Sequence, residues 1–311
     1  MQSPTKLPTI PPGTSFQWQL KGTIDTSYPA RVYDIDLFDA PAATIAALKT
    51  AGHVVICYFS AGTYENWRTD RTLFPTSVRG NTLDEFPDEQ WLDVRQTTIL
   101  QPIMLSRITL AKNKSCDGVE FDNVDGYTND SGFTITVNDQ LKYNQWLADT
   151  AHSLSLLTIL KNCLSLAEQL VAWYDVLLLE QCVQYKECDS AAPFIKAGKA
   201  VFDVEYVDKK AAFAATCDTA AKTGVDAQVK NLTLDAPRMM CRSDYTDQIS
   251  TPVGNGTGGG DTGGTSGTGT GGTGKGGWGT RRYGAVDGVF SVGLAVLGAV
   301  FVVRFGAEVW R

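Results

Sequence analysis

The sequence predicts an α/β fold: a (β/α)8 TIM-like barrel over residues 16–252, with a Gly-rich tether and an apolar C-terminal tail behind it. Three observations predict it. Short β-branched and apolar runs alternate with amphipathic helical segments, the order that builds a parallel sheet covered by helices. Most of the runs are nearly continuous in apolar residues, as strands buried on both faces must be. Each run closes on a polar side chain, and in such a barrel the C-terminal strand ends converge on one mouth. The 311 residues, 43% of them hydrophobic, suffice for a large core, because barrels of this class reach about 250 residues as one domain.

Residues 1–15 are rich in Pro and Thr and read as an extended lead-in. Phe16-Gln-Trp-Gln-Leu20 alternates apolar and polar residues, a strand expected to close the bottom of the barrel. The repeating unit starts at Arg31. Its first strand is Val32–Asp36, followed by an amphipathic helix over Ala40–Ala51. The second strand, His53–Phe59, ends at Ser60-Ala-Gly62, and a long loop over Thr63–Asp88 carries Glu65, Trp67 and Arg68. The third strand is read at Trp91–Val94, and the spacing of Ile99, Ile103, Ile108 and Leu110 then suits a helix. The fourth strand, Gly118–Asp122, is followed by a helix over Val137–Ser153, with Leu141, Trp146, Leu147 and Ala151 at helical spacing. The fifth, Leu156–Leu160, is capped by Lys161-Asn162, and the sixth, Asp175–Leu179, by Glu180-Gln181. The seventh, Lys199–Val204, is capped by Glu205-Tyr206; an Ala-rich helix over Lys209–Lys222 leads to the eighth, Val225–Val229, capped by Lys230-Asn231.

Charge narrows the partners. Five of the 27 basic and three of the 34 acidic side chains follow Pro252, which leaves the body with 22 against 31, a net charge of −9. An acidic body argues against nucleic acid and favours a cationic partner. Of the seven cysteines, Cys182 and Cys188 flank one short segment and Cys217 and Cys241 flank the last unit, so each set can pair in an oxidising compartment. Cys57 lies inside an apolar run and reads as a buried small hydrophobe. With no Cys-x-x-Cys and only two distant histidines, no metal site is expected. Sequons stand at Asn113, Asn129, Asn231 and Asn255. The opening residues lack an apolar h-region, so no signal peptide is read there.

The chemistry concentrates at Cys116-Asp-Gly-Val-Glu-Phe-Asp-Asn-Val-Asp-Gly-Tyr127, where Glu120, Asp122 and Asp125 crowd one strand end. Such crowding costs free energy unless partners or protons compensate, and proteins use it to tune carboxyl groups. Asp36, Ser60, Asp122, Asn123, Lys161, Asn162, Glu180, Glu205 and Tyr206 all stand at strand ends and would meet at the mouth. Opposed carboxylates with Tyr58, Trp67, Tyr127 and Tyr206 suit a sugar cleft, because aromatic faces stack on sugar C–H faces and two acids flanking a glycosidic bond can cleave it. A Ser-His-acid triad lacks support: His53 begins its strand and His152 lies late in a helix.

The segments Tyr33–Asp39, Val55–Gly62, Cys116–Tyr127, Leu160–Asn162, Glu180–Cys182 and Val201–Tyr206 resemble glycoside hydrolase family 114, whose known members are endo-α-1,4-polygalactosaminidases. The resemblance covers roughly Phe16 to Cys241, and Phe121 departs from it where many relatives carry proline. It implies a TIM-like barrel, endo-cleavage of α-1,4-linked galactosamine-rich polysaccharide (galactosaminogalactan) and retention of configuration. It places the catalytic pair on strands four and six, hence Asp122 as nucleophile and Glu180 as acid/base. The residues agree with those roles. A nucleophile must stay ionised, and Asn123 or Lys161 can donate to Asp122; an acid/base must hold a proton, and Glu180 closes the apolar run Val176–Leu179. Asp36, Glu120, Asp125 and Glu205 are candidates for the substrate's ammonium groups, with a structural hydrogen bond as the alternative for each. Tyr58, Asn123, Tyr127, Lys161, Asn162 and Tyr206 complete the expected substrate contacts. No cofactor is implied. The alternatives are a carbohydrate-binding surface protein on the same scaffold and an α-galactosidase-like exo-enzyme.

Residues 253–282 form a Gly/Thr tract that reads as a flexible linker. Residues 283–311 hold an apolar run at 288–303, somewhat short for a bilayer. A membrane anchor or a removed lipid-anchor signal is expected there, with a poorly ordered helix as the alternative. These readings describe a monomer outside the cell or on its surface.

Overall fold

Eight parallel strands make the barrel: β1 (Phe16–Gln19), β2 (Val32–Asp36), β3 (Val54–Ser60), then β7 (Gly118–Asp122), β8 (Leu157–Lys161), β9 (Val176–Glu180), β10 (Val201–Glu205) and β11 (Asp226–Lys230). The three strands between β3 and β7 lie apart, in an antiparallel sheet of order β4-β6-β5: β4 (Thr63–Glu65), β5 (Arg79–Leu83) and β6 (Phe86–Leu92). The computed structural model describes residues 7–206 and 210–241. The linker and the apolar tail lie outside the described residues, as do residues 1–6 of the lead-in. Among the described residues no helix is long and apolar enough to cross a membrane.

Two expectations are corrected here. Phe16–Gln19 is a full member of the barrel, parallel to β2 in the register Phe16 to Val32. Trp91 and Leu92 close β6 of the antiparallel sheet and are no part of the barrel. A three-residue apolar core within Trp91–Val94 fits a strand of either kind, so periodicity could not separate them. The two errors cancel in the count: Gly118–Asp122 is still the fourth parallel strand and Val176–Glu180 the sixth.

The last strand, β12 (Arg238–Met240), runs antiparallel to β11 and faces β1. Side chains bridge that seam: Gln17 Nε2 donates to Ala236 O at 2.8 Å and the Arg238 guanidinium donates to Phe16 O. Parity sorts the core, because successive strand residues face opposite sides. Phe16, Trp18, Val32, Ile56, Ile159, Leu178, Phe202 and Val204 pack inside the barrel, where the Phe16 and Phe202 rings stack 4.1 Å apart. Tyr33, Ile35, Val55, Phe59, Phe121, Leu160 and Leu179 face outward into the layer under the helices.

The helices are α1 (Ala42–Thr50), α2 (Thr97–Asn113), α3 (Val137–Ser153), α4 (Ala167–Leu170), α5 (Cys182–Tyr185), α6 (Ala192–Lys196) and α7 (Lys210–Thr223). A capping box starts α3: Thr136 Oγ1 accepts from Asp139 N, and Asp139 accepts from Thr136 N. Its buried side, Tyr143, Asn144, Leu147, Ala148 and Ala151, follows the helical period and covers the barrel wall.

Disulfides form at Cys182–Cys188 and Cys217–Cys241, the two expected pairs. Cys57 is buried, as expected of a small hydrophobe, but it is also bonded to Cys116. The parallel pairing of β3 with β7 brings the two together: Cys57 is opposite Val119, and Cys116 lies just below β7. Fifty-nine residues separate them in sequence, so nothing local signals the bond.

Candidate active site

The mouth forms at the C-terminal strand ends, where a cavity of about 190 Å³ is lined by Asp36, Tyr58, Asp122, Asn123, Lys161 and Glu180. Trp18 and Leu20 of the first strand and its exit line it too, while Trp67, Arg68, Leu83, Phe86 and Glu89 come from the insertion between β3 and β7. Gly62 lets that insertion cross the barrel edge, since a Cβ there would stand 1.6 Å from Asn123 O.

Lys161 is the hub. Its side chain is 2% exposed, and Nζ stands 2.6 Å from Glu180 Oε2 and 3.3 Å from Asp122 Oδ1. Two oxygens held by one nitrogen at those distances lie within about 6 Å of each other. Burial opposes a charge on Lys161, but Asp122, Glu180 and Glu120 outweigh it and hold the ammonium above its ordinary range. Neutral donors complete both carboxylates. Tyr58 OH donates to Asp122 Oδ2 at 3.0 Å, and Asn123 Nδ2 approaches the same oxygen at 3.4 Å. Tyr206 OH donates to Glu180 Oε1 at 2.6 Å and Asn162 Nδ2 to Oε2 at 3.3 Å. Burial first, then the adjoining carboxylates, raise both tyrosines, so each stays a hydroxyl donor. Asn123, Asn162 and Gln181 follow directly on β7, β8 and β9 with φ of 58°, 51° and 58°. Left-handed backbone at non-glycine residues clusters at functional sites; here the Asn123 and Asn162 amides turn back over the strand ends, while Gln181 Nε2 donates to Gln184 Oε1 at 2.9 Å.

One layer deeper, Glu120 is fully buried on the same inward face as Asp122. Trp18 Nε1 donates to Glu120 Oε2 at 2.9 Å, and the Trp18 ring also lies under Lys161, 5.0 Å from Nζ. Asp34 of β2 adjoins Glu120. Burial raises both carboxyls, and Asp34 adds to the rise at Glu120. Asp34 is invisible to a search for strand-end caps because it lies two residues short of the end of β2.

The structure does not bring every expected contact to the mouth. Asp36 lines it, but Arg68 grips the carboxylate through two nitrogens at 3.0 and 2.7 Å while Phe38 N and Asp39 N also donate to it. Glu205 is adjacent to Tyr206 and therefore faces the other way; it accepts from Val183 N at 2.8 Å at the start of α5. Asp125 starts the turn beyond β7, and Tyr127 bonds Ser165, both outside the cavity lining. Glu65, Glu89 and Arg68 come from the insertion. Arg68 joins Glu65 to Asp36, and buried Arg107 of α2 ties Asp70 and Ser60 O to the same wall. Glu89 stood in no candidate set; it falls between the loop read to Asp88 and the strand read from Trp91, in the middle of β6, so no strand-end rule could select it.

Comparison with known proteins follows from this geometry. The profile of glycoside-hydrolase family GH114 matches residues 1–246. The crystal structure of Aspergillus fumigatus Ega3 in complex with galactosamine is 38% identical, covers 77% of this chain and 99% of its own, and superposes with a TM-score of 0.72. The glycoside hydrolase domain of PelA from Pseudomonas aeruginosa shares the fold at 12% identity, with 72% of this chain and 96% of that one covered and a TM-score of 0.57. No curated protein matches the sequence.

Proposed function

Since the chain belongs to glycoside-hydrolase family GH114 and is a glycoside hydrolase, we propose that it cleaves α-1,4-linked galactosamine-rich polysaccharide internally, through Asp122 as nucleophile and Glu180 as acid/base, with retention. The relative solved with galactosamine supports the sugar. The observation that carries the roles is the single ammonium of Lys161 between the two carboxylates. Retaining pairs stand about 5–5.5 Å apart and inverting pairs about 6.5–9.5 Å; the limit of about 6 Å set by Lys161 favours the former.

The charge balance suits a double displacement. When Asp122 bonds the anomeric carbon it loses its negative charge, while Glu180 gains one by giving its proton to the leaving oxygen. Lys161 contacts both groups, so its ammonium compensates either distribution without moving. Tyr58 and Tyr206 hold one oxygen of each acid and fix their orientation.

The test is digestion of purified galactosaminogalactan with mass spectrometry of the products, and nuclear magnetic resonance of the first anomer released. Oligosaccharides are expected, with Asp122→Asn and Glu180→Gln each slower by orders of magnitude and still folded. Monosaccharide as the first product would make the enzyme exo-acting, and near-normal turnover in either variant would remove that residue from its role. Three disulfides support an oxidising compartment for the barrel, and the Gly/Thr linker with its apolar tail is proposed to hold it at a cell surface.

A further inference from the structure

We infer that the Glu89 carboxylate, on the inserted antiparallel sheet, is the counter-ion for the ammonium group of a sugar bound beside the catalytic pair, and so decides between galactosamine and its N-acetylated form. The inference rests on the proposed substrate class and adds to it the residue that reads the amine.

Elimination carries the first half of the argument. Five carboxylates line the cavity: Asp36, Glu65, Glu89, Asp122 and Glu180. Asp36 is saturated by Arg68 and two backbone amides. Glu65 is paired with Arg68 at 2.8 Å and has Arg107 at 3.6 Å. Asp122 and Glu180 share Lys161. Among the described residues the Glu89 carboxylate has no cation bonded to it, and its one side-chain hydrogen bond comes from Thr63 Oγ1 to Oε2 at 2.7 Å.

Geometry supplies the second half. Glu89 is 8% exposed and lines the cavity, and the Thr63 bond occupies Oε2 rather than Oε1. Thr63 also meets Ser60 Oγ, and Asn123 Nδ2 donates to Ser60 Oγ at 3.0 Å and approaches Asp122. Glu89 is thus fixed to the catalytic end of β7 through side chains of β3, β4 and the β7 exit, at a set distance from where cleavage occurs. Burial is the main force raising its carboxyl to about 7; Glu65 and Asp122 face it and add to the rise, while Arg68 opposes it. An incoming ammonium would reverse that balance, ionise Glu89 and release its proton. An N-acetyl group carries no charge and cannot do so.

The test uses the full chain with Glu180→Gln to stop turnover, alone and combined with Glu89→Gln, and measures binding of a galactosamine oligosaccharide and of its fully N-acetylated counterpart by calorimetry. At pH 6, in two buffers of different ionisation enthalpy, galactosamine binding is expected to release protons from Glu89. The added Glu89→Gln change should remove that release and weaken the galactosamine ligand at least about tenfold, as loss of a charge-assisted bond does, while the N-acetylated ligand changes much less. Gln keeps the Thr63 bond, so a merely structural role would not move proton release. Glu89→Asp, which keeps the charge on a shorter arm, should restore part of the discrimination. Equal weakening of both ligands, or proton release that persists without Glu89, overturns the inference. If the wild-type chain cleaves the polymer while Glu89→Gln keeps full discrimination, the inference alone fails; if the wild type yields no products and Glu180→Gln binds neither ligand, the substrate reading and the inference fall together.

Discussion

Replacing Glu89 by Gln should stabilise the fold, and by an amount that depends on pH. Burial, Glu65 and Asp122 move the Glu89 carboxyl from an ordinary 4.5 to about 7. Between those values the folded chain holds a proton that the unfolded chain has lost, so stability falls as pH rises through this window. At 1.36 kcal/mol per pKa step, the cost of ionising Glu89 in the folded state approaches about 3 kcal/mol above pH 8. Gln carries no charge at any pH and keeps an oxygen for Thr63. The variant's advantage is therefore expected to be small at pH 5 and to grow by about 2.5 kcal/mol by pH 8. Urea unfolding followed by tryptophan fluorescence reads this as a midpoint difference of about 1 M that is present at pH 8 and nearly absent at pH 5. A difference of the same size at both pH values would refute the reasoning, because only a titrating group produces the slope. A carboxylate that destabilises the empty barrel is what a site held ready for a cation predicts.

Other perturbations read other parts of the site. Lys161→Met leaves Asp122, Glu180 and Glu120 without their shared cation; removing one partner of a buried ion pair costs about 3–5 kcal/mol, and turnover of the polymer should fall by orders of magnitude in the fraction that remains folded. Removing the Cys57–Cys116 bond by the double change to Ala opens a 59-residue loop and should cost about 4 kcal/mol in urea unfolding, against about 2 kcal/mol for the six-residue Cys182–Cys188 loop. The acidic body should draw a polyamine substrate from a distance, so KM is expected to rise with salt as the screening length shortens to about 8 Å at physiological strength, with kcat changing little; a salt-independent KM would leave hydroxyl contacts and stacking as the binding forces.

The fold was legible because its signal is repeated: seven of the eight barrel strands could be read from apolar runs closing on polar caps. What failed was local. Phe16–Gln19 and Trp91–Val94 exchanged places because short strands of a barrel and of a hairpin share one composition. Asp122, Lys161 and Glu180 could be found because a strand-end rule selects them, and parity then puts all three on the inward face. The same rule cannot choose between neighbours. Glu205 and Tyr206 are adjacent, so only one faces inward, and Val201 and Phe202 are both apolar, which hides the parity. The Arg68 clamp on Asp36 and the partnership of Asp34 with Glu120 are contacts between strands and loops far apart in sequence, which spacing does not record. Glu89 needed the insertion's fold before it could be seen to face the mouth.

The charges around the mouth have a logic of their own. Seven carboxyl groups (Asp34, Asp36, Glu65, Glu89, Glu120, Asp122 and Glu180) meet three interior cations, Arg68, Arg107 and Lys161, with Lys21 exposed at the rim beside Trp67. Burial raises Asp34, Glu65, Glu89 and Glu120, and the two deepest, Asp34 and Glu120, have no exposed surface. Glu65 is held by arginines, so Glu89 is the raised acid that an incoming cation can reach. Protons and ammonium groups then compete for the same oxygen. Acidification below about 7 favours the proton at Glu89 and should raise KM for the amine polymer. Thr63, Ser60 and Asn123 link Glu89 to the end of β7 that carries Asp122, so a change at Glu89 is made beside the proposed catalytic pair without altering it. The Glu89→Gln enzyme should therefore lose the rise of KM at low pH.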